Sequence, residues 1–254
     1  MNRILVAGAT GQLGAPALAA IRRVNPDAVG ISRSGRDGTR VADLLTGTGL
    51  DSALDGIDTI VHTATTGGAR DLRMAENFTA AAVRAGVSHL VLISIVGIER
   101  IPLGFYRDRV SIEGIVERSG VPFTTQRATQ FHSFVDALFS AQRFSPVVLR
   151  PEIRIQPIAV DDVAARLASL AAESPRGRVS DIGGPEVSSL AALYSTWKNA
   201  TGGHRPGLGI RLPGRLFDAF DSGANLAAGE PYGRGTFAQF LAAKYRLART
   251  GRAG

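Results

Sequence analysis

The sequence predicts an α/β fold: a doubly wound parallel sheet with a smaller lobe built from the C-terminal part of the chain. Three observations carry that prediction. Apolar runs rich in β-branched residues alternate with helically patterned segments between Arg3 and Arg127. The runs lack polar/apolar alternation, as strands covered on both faces require. The first of them leads through a glycine-spaced turn straight into a helical pattern, the opening of a βαβ unit.

Taken in order, the strands are "RILVA" (Arg3 to Ala7), "AVGIS" (Ala28 to Ser32), "TIVHT" (Thr59 to Thr63), "HLVLIS" (His89 to Ser94) and "PFTTQR" (Pro122 to Arg127). The segment "QLGAPALAAIRRV" places Leu13, Leu18, Ile21 and Val24 at helical spacing. "DLRMAENFTAAAVRAG" does the same with Met74, Phe78, Ala81 and Ala82, and its Gly86 suits a helix C-terminus. After about Val147 the rhythm changes. Short runs such as "RIQPIAV" and "RVSDIGG" alternate with helices over Asp161 to Ala172 and Leu190 to Gly202, and Pro and Gly are frequent from Gly202 to Gly235. The expected organisation is one domain over residues 1–254, in which roughly 147–254 contributes a small substrate lobe.

The 254 residues are 44% hydrophobic and 20% charged, the balance of an ordinary globule. The absence of cysteine excludes disulfides, zinc-thiolate sites and cysteine nucleophiles. No histidine–carboxylate spacing suggests a metal, so none is expected. The chain enters a strand at once, and no apolar run approaches the ~18 residues of a membrane span. These features predict a cytoplasmic protein without membrane association. The net charge is +7, and Lys198 and Lys244 are the only lysines. The arginines are dispersed rather than gathered on one helix with exposed aromatics, which argues against nucleic acid as a partner. A solvated surface, or attraction of a small anionic ligand, accounts for the same charge.

In "VAGATGQLGAPAL" the glycines fall at Gly8, Gly11 and Gly14, between the first strand and the first helix. One glycine permits the sharp turn, one lets backbone N–H groups approach a pyrophosphate, and one brings the helix close to the sheet. The turn, with Thr10, Gln12 and Leu13, is therefore expected to bind a dinucleotide. NAD binders typically place a carboxylate at the end of the second strand. Here "GISRSGR" offers Arg33 and Arg36 and no acid, a composition suited to a 2′-phosphate, so NADP(H) is favoured over NAD(H). In "VADLL", Asp43 and Leu44 fit a segment beneath the adenine, with Asp43 accepting from the exocyclic amine. In "HTATTGG", Thr63, Ala64 and Thr65 form a small-residue ledge for ribose and pyrophosphate, and His62 is either part of that site or buried structure.

The set "VAGATGQLG", "ADLL", "AGVSHLVLISIVG", "GVPFTTQRATQFH", "IQPIAVDDVA" and "DIGGPE" resembles the atypical short-chain dehydrogenase/reductases of the NmrA-like, NAD(P)-binding family, from Arg3 to about Leu241. The resemblance implies a Rossmann-type domain, one NADP(H) per chain and a small substrate lobe. Reductases of this group often carry a Tyr-x-x-x-Lys pair on the helix after the fourth strand, the lysine lowering the tyrosine pKa for proton donation. Laid on "FYRDR", the tyrosine position holds Phe105 and the lysine position Arg109. Arg109 retains hydrogen-bonding capacity toward a ribose. Tyr106, about 100° away on the helix, is no simple replacement and is expected to pack or make a surface contact. Ser94 stands where the superfamily keeps a hydroxyl beside a substrate carbonyl.

Thr129, Gln130 and Phe131 follow the fifth strand as candidate cofactor or substrate contacts. His132 is either a titrating group near the site or a helix-surface residue. Asp161 or Asp162 is expected to cap the following helix. Leu212, Leu216 and Phe217 either line a substrate pocket or form core. The leading functional expectation is an NADPH-dependent oxidoreductase that transfers hydride to a small apolar, electron-poor acceptor such as a quinone or enone, with Ser94 and Arg109 as its catalytic candidates. The alternative is a non-catalytic NADP(H) sensor that acts on a regulatory protein partner. Nucleotide-sugar epimerisation is a third reading, weakened by the missing tyrosine. The chain is expected to be a monomer or homodimer.

Overall fold

The computed structural model describes residues 2–211 and 213–250, apart from the side chains of Asp37 and residues 247–250. The chain divides into two compact units, residues 1–127 with 163–180, and residues 128–162 with 181–254. In chain order the elements are β1 (Ile4–Ala7), α1 (Gly14–Arg22), β2 (Val29–Ser32), β3 (Arg40–Val41), α2 (Leu50–Leu54), β4 (Thr59–His62), α3 (Arg70–Arg84), β5 (His89–Ile95), α4 (Gly104–Arg118) and β6 (Phe123–Ala128). They continue with α5 (His132–Ser140), β7 (Val148–Pro151), β8 (Arg154–Ile155), α6 (Val160–Ala172), β9 (Gly177–Arg178), β10 (Ser188–Ser189), α7 (Leu190–Thr201), β11 (Gly207–Ile210), α8 (Arg215–Asp221) and α9 (Phe237–Thr250).

Seven strands form a parallel sheet in the order β3-β2-β1-β4-β5-β6-β9. All four residues of β1 and of β4 are buried, which explains their unbroken apolar character. Strand order reverses between β1 and β4, which pair in register with Ala7 opposite His62. At such a reversal the chain leaves the two strands in opposite directions and opens a crevice at their C-terminal ends. Gly8 and the segment beginning at Thr63 therefore emerge side by side there. Met74, Phe78, Ala81 and Ala82 of α3 bury the expected helical stripe, and Gly86, at φ +67°, follows its last turn. Val24 departs from its expected place: it lies beyond the end of α1 and is 73% exposed.

The second unit has its own core, in which Phe139, Tyr194 and Trp197 pack with Val135, Val148, Ile155 and Leu190. Helix α7 is bounded as its sequence suggests. Ser189 Oγ accepts from Ala192 N at 3.2 Å at one end, and Gly202 takes φ +69° at the other. Parallel β7 and β11 pair Val148 with Gly207, and antiparallel β8 and β10 form a second small sheet. Neither Asp161 nor Asp162 caps α6, which begins before both at Val160, and Asp162 is engaged elsewhere. Its Oδ2 accepts instead from the N–H groups of Arg234 (2.8 Å) and Gly235 (3.1 Å), fixing a glycine-rich segment far along the chain.

Asp136 of α5 ties this unit together. Its buried carboxylate accepts from Trp197 Nε1 at 2.7 Å, from Tyr245 Oη at 2.8 Å and from Lys244 Nζ. Burial pushes the Asp136 pKa up, but the three donors more than offset this and hold it below the usual value. Replacing Asp136 with Ala leaves the buried Trp197 N–H and the half-buried Tyr245 hydroxyl unpaired and is expected to lower unfolding stability by about 3 kcal/mol. Urea denaturation of the wild type and of Asp136→Ala checks this, and a difference below about 1 kcal/mol would contradict it.

Candidate functional site

The glycine turn after β1 owes its shape to close backbone approach. Gly8 adopts φ +82°, and a Cβ there would lie 2.8 Å from the Cα and N of Ala64. A Cβ on Gly14 would come within 2.0 Å of the Gly8 carbonyl oxygen. The turn closes through Gly11 N donating to Gly8 O at 2.8 Å. Thr10, Gly11 and Gln12 face outward, whereas Leu13 is buried. A Cβ on Gly11 would meet only the Gly8 oxygen, at 3.1 Å, so glycine leaves the outer face of the turn open. The first turn of α1 holds no acidic residue. Its uncompensated positive end suits an anion.

Around the turn, Arg33 and Arg36 are exposed beyond the end of β2, which Gly30 lets lie close to the turn: a Cβ on Gly30 would be 2.4 Å from Ala9 Cβ. Asp43 Oδ1 accepts from Leu45 N at 2.8 Å. The carbonyls of Leu44 and Leu45 accept from Asn77 Nδ2 at 3.0 and 2.9 Å. Gly30 and Asn77 lie outside the sequence motif, so their roles emerge only once α3 and β2 are in place.

A family model described as NAD(P)H-binding matches residues 6–173. The chain belongs to this NAD(P)H-binding family. No curated protein matches it. The fold resembles that of an Escherichia coli NADPH-dependent quinone oxidoreductase complexed with NADPH, at TM-score 0.78, 21% identity and coverage of 95% of this chain and 99% of that one. It also resembles a Staphylococcus aureus nucleoside-diphosphate-sugar epimerase (0.77, 18%, 95% and 100%) and a Citrobacter sp. triphenylmethane reductase solved with NADP(H) (0.67, 19%, 99% and 91%). The Rossmann-type fold and the membership of an NAD(P)-binding family expected from the motifs are borne out. Among the described residues no helix is long and apolar enough to cross a membrane.

The ledge after β4 is more internally engaged than its sequence suggests. Thr63 donates both its N–H (3.0 Å) and its hydroxyl (2.7 Å) to Ala7 O. Thr65 Oγ1 donates to Asp71 Oδ2 at 2.5 Å, and Thr66 donates its N–H and hydroxyl to Asp71 Oδ1, each at 2.6 Å. Arg109 completes the cluster, its Nη2 donating to Asp71 Oδ2 and to Thr65 Oγ1 (3.2 Å). The two charged side chains are 8% and 2% exposed. Burial pushes the Asp71 pKa up, but the threonine hydrogen bonds and the Arg109 charge bring it below the usual range, so the carboxylate stays ionised. Burial lowers the Arg109 pKa and Asp71 opposes that shift.

Arg109 is therefore clamped, with its guanidinium 4.9 Å from the centroid of Phe105. Tyr106 is buried beside Phe105, their rings 6.2 Å apart, which makes it the packing residue the helical rotation implied. Asp71 drew no attention in the sequence because an acid in the first turn of a helix ordinarily serves the helix itself. Among the described residues of this unit, five side-chain polar atoms are buried without a hydrogen-bond partner: Ser94 Oγ, Arg109 Nε, His62 Nδ1, His89 Nδ1 and Thr125 Oγ1. Buried polar groups ordinarily find partners, so these mark capacity for a ligand or a water. A second charge cluster, in which buried Arg127 bonds buried Glu113 (2.8 and 2.6 Å) and exposed Glu99 (2.7 and 2.5 Å), braces β6 against α4 and was not anticipated.

In the second unit, Thr129 Oγ1 donates to Gln156 O at 2.5 Å and its N–H to Ile182 O at 3.0 Å; Phe131 bridges to Ile158. His132 is not a helix-surface residue. It is 2% exposed, packs on Phe237 and Phe240, and has Nε2 3.1 Å from Pro157 O, with its pKa lowered chiefly by burial. Phe217 is buried and Leu216 half-buried, while Leu212 lies outside the described residues.

His62 is fully enclosed, with Phe78 5.2 Å away, and burial together with the Arg109 charge lowers its pKa to about 4. An unfolded histidine titrates near 6.5. Between these values the unfolded chain binds the extra proton, so this contribution is fully present above pH 6.5 and is lost as the pH falls toward 4, by up to about 3 kcal/mol. Denaturant unfolding at pH 7 and pH 4.5 should show that loss, with His62→Gln flattening it. An unchanged pH dependence in the variant would contradict the assignment.

Proposed function

We propose that this chain is an NADPH-dependent oxidoreductase that reduces a small, apolar, electron-poor acceptor such as a quinone or enone. The observation that carries the reading is the state of the would-be acid–base pair. Phe105 has no proton to give, and Arg109 is spent on Asp71. A ketone needs a proton delivered as its alkoxide forms, whereas a quinone or enone yields a stabilised oxyanion that water can protonate. NADPH, when bound, supplies the hydride.

The residues fit that cofactor. Gly8, Gly11 and Gly14, with Thr10, Gln12 and Leu13, form an open turn on a helix end without acidic residues, for the pyrophosphate. The exposed Arg33 supports pairing with a 2′-phosphate and so NADP(H), and Asp43 and Leu44 are assigned in this reading to the adenine. Thr63, Ala64 and Thr65 back the ribose side through their own fixed hydrogen bonds. Ser94 Oγ, buried and unpartnered at the end of β5, is the donor proposed for the acceptor's developing oxyanion. Arg109 contributes a fixed positive charge and its unpartnered Nε–H rather than a mobile ammonium. The E. coli quinone oxidoreductase and the Citrobacter triphenylmethane reductase, similar in fold, support a reductase reading. Sugar epimerisation is disfavoured, because the tyrosine it relies on is absent.

The same lack of an acid is compatible with a cofactor-binding sensor, and experiment separates the two. Purified protein under anaerobic conditions should oxidise NADPH with quinones or enones and not with simple ketones. Ser94→Ala should lower kcat by about 10-fold or more, and Arg33→Ala should weaken NADPH about tenfold with NADH unchanged. Tight NADPH binding without turnover on any acceptor would overturn the reductase in favour of the sensor.

A further inference from the structure

The second unit contains a cavity of about 520 Å³ that the reading above does not use. Its lining includes Arg150, Glu152, Arg154, Leu190, Phe220 and Asp221, and none of these belongs to the glycine turn or the Thr63–Asp71 segment. The volume is that of a small-molecule site. The strand forming one wall is kept bare. A Cβ on Gly209 would lie 2.6 Å from Glu152 Oε1, and one on Gly207 would lie 2.5 Å from Arg150 Nε. A side chain at either position would displace the charged groups that now lie across β11.

The charges around the cavity are unequally compensated. Asp221 is neutralised by Arg211. Arg150 donates to a backbone carbonyl, Gly207 O at 3.1 Å, and lies 5.7 Å from the Tyr194 ring, with no carboxylate partner among the described residues. Arg154 is exposed, and its guanidinium makes no ion pair or hydrogen bond among the described residues. Glu152 forms no ion pair among the described residues, although it lies within the field of Arg211. Leu190 and Phe220 supply an apolar surface between these groups.

We propose that this cavity is a binding site for a small hydroxylated aromatic carboxylate, separate from the NAD(P)H site. Arg154 pairs with the ligand carboxylate, Leu190 and Phe220 flank its ring, and Glu152 accepts from its hydroxyl. A solvent-accessible cation, an apolar slot and one hydrogen-bond acceptor along one cavity match that class, whereas a neutral apolar molecule would cover Arg154 and Glu152 without pairing either.

Calorimetric titration of the full chain with 4-hydroxybenzoate tests this, with its methyl ester as the uncharged control. Saturable one-to-one binding is expected, with and without saturating NADPH, and the ester should not bind. Arg154→Gln should weaken binding about tenfold or more and leave the thermal melt unchanged, since the side chain carries no internal bond. Gly209→Val, which fills the wall, should abolish binding, and an unchanged near-ultraviolet circular dichroism spectrum, which reports the Tyr194–Trp197 core of the same unit, verifies its fold. Absence of saturable binding at low-millimolar concentration, equal affinity for the ester, or an unaffected Arg154→Gln variant would each overturn the proposal.

Discussion

The segment after β4 and the helices α3 and α4 are held in one arrangement by the buried charge pair of Asp71 and Arg109. Taking each charge out of water costs several kcal/mol, and the geometry offsets that only because nearly every acceptor site is used. Thr65 and Thr66 saturate the carboxylate, so the loop closes on α3 as the pair forms. The consequences reach the cofactor side of the sheet. Thr63 and Ala64, immediately before these threonines, are pressed against Ala7 and Gly8, and Gly8 against Gly14. An arginine that in other circumstances would face a ligand is thereby turned into a structural cation, and the chemistry proposed for the site follows from its loss as a mobile partner.

The electrostatics of the same region keep its protonation states simple. His62 is neutral at ordinary pH, and Asp71 is ionised. Neither His62 nor Asp71 is poised to exchange a proton near neutrality. A site of this kind favours reactions in which the acceptor itself accommodates negative charge.

Much of the sheet was legible in the sequence, for a physical reason: a strand buried on both faces has no freedom in its apolar pattern, so β1, β4 and β5 declare themselves. The glycine turn was equally legible, because backbone approaches of 2.0 to 2.8 Å to a would-be Cβ leave no alternative residue. Long-range pairing was not. Nothing local distinguishes Asp71 as the partner of Arg109, thirty-eight positions on. Asp162 likewise has the local look of a helix cap, yet it binds N–H groups more than seventy residues away. His132 shows the same limit, since its burial depends on Phe237 and Phe240 from the far end of the chain.

The central claim is that the glycine turn, backed by the Asp71–Arg109 cluster, is the seat of NADPH. Amide hydrogen exchange of the protein with and without NADPH tests it most directly. Slowed exchange is predicted across Gly8 to Gly14 and in the segment from Thr63 to Gly67, where the turn and its backing loop meet. Saturation with NADPH that leaves both segments unchanged would contradict the account.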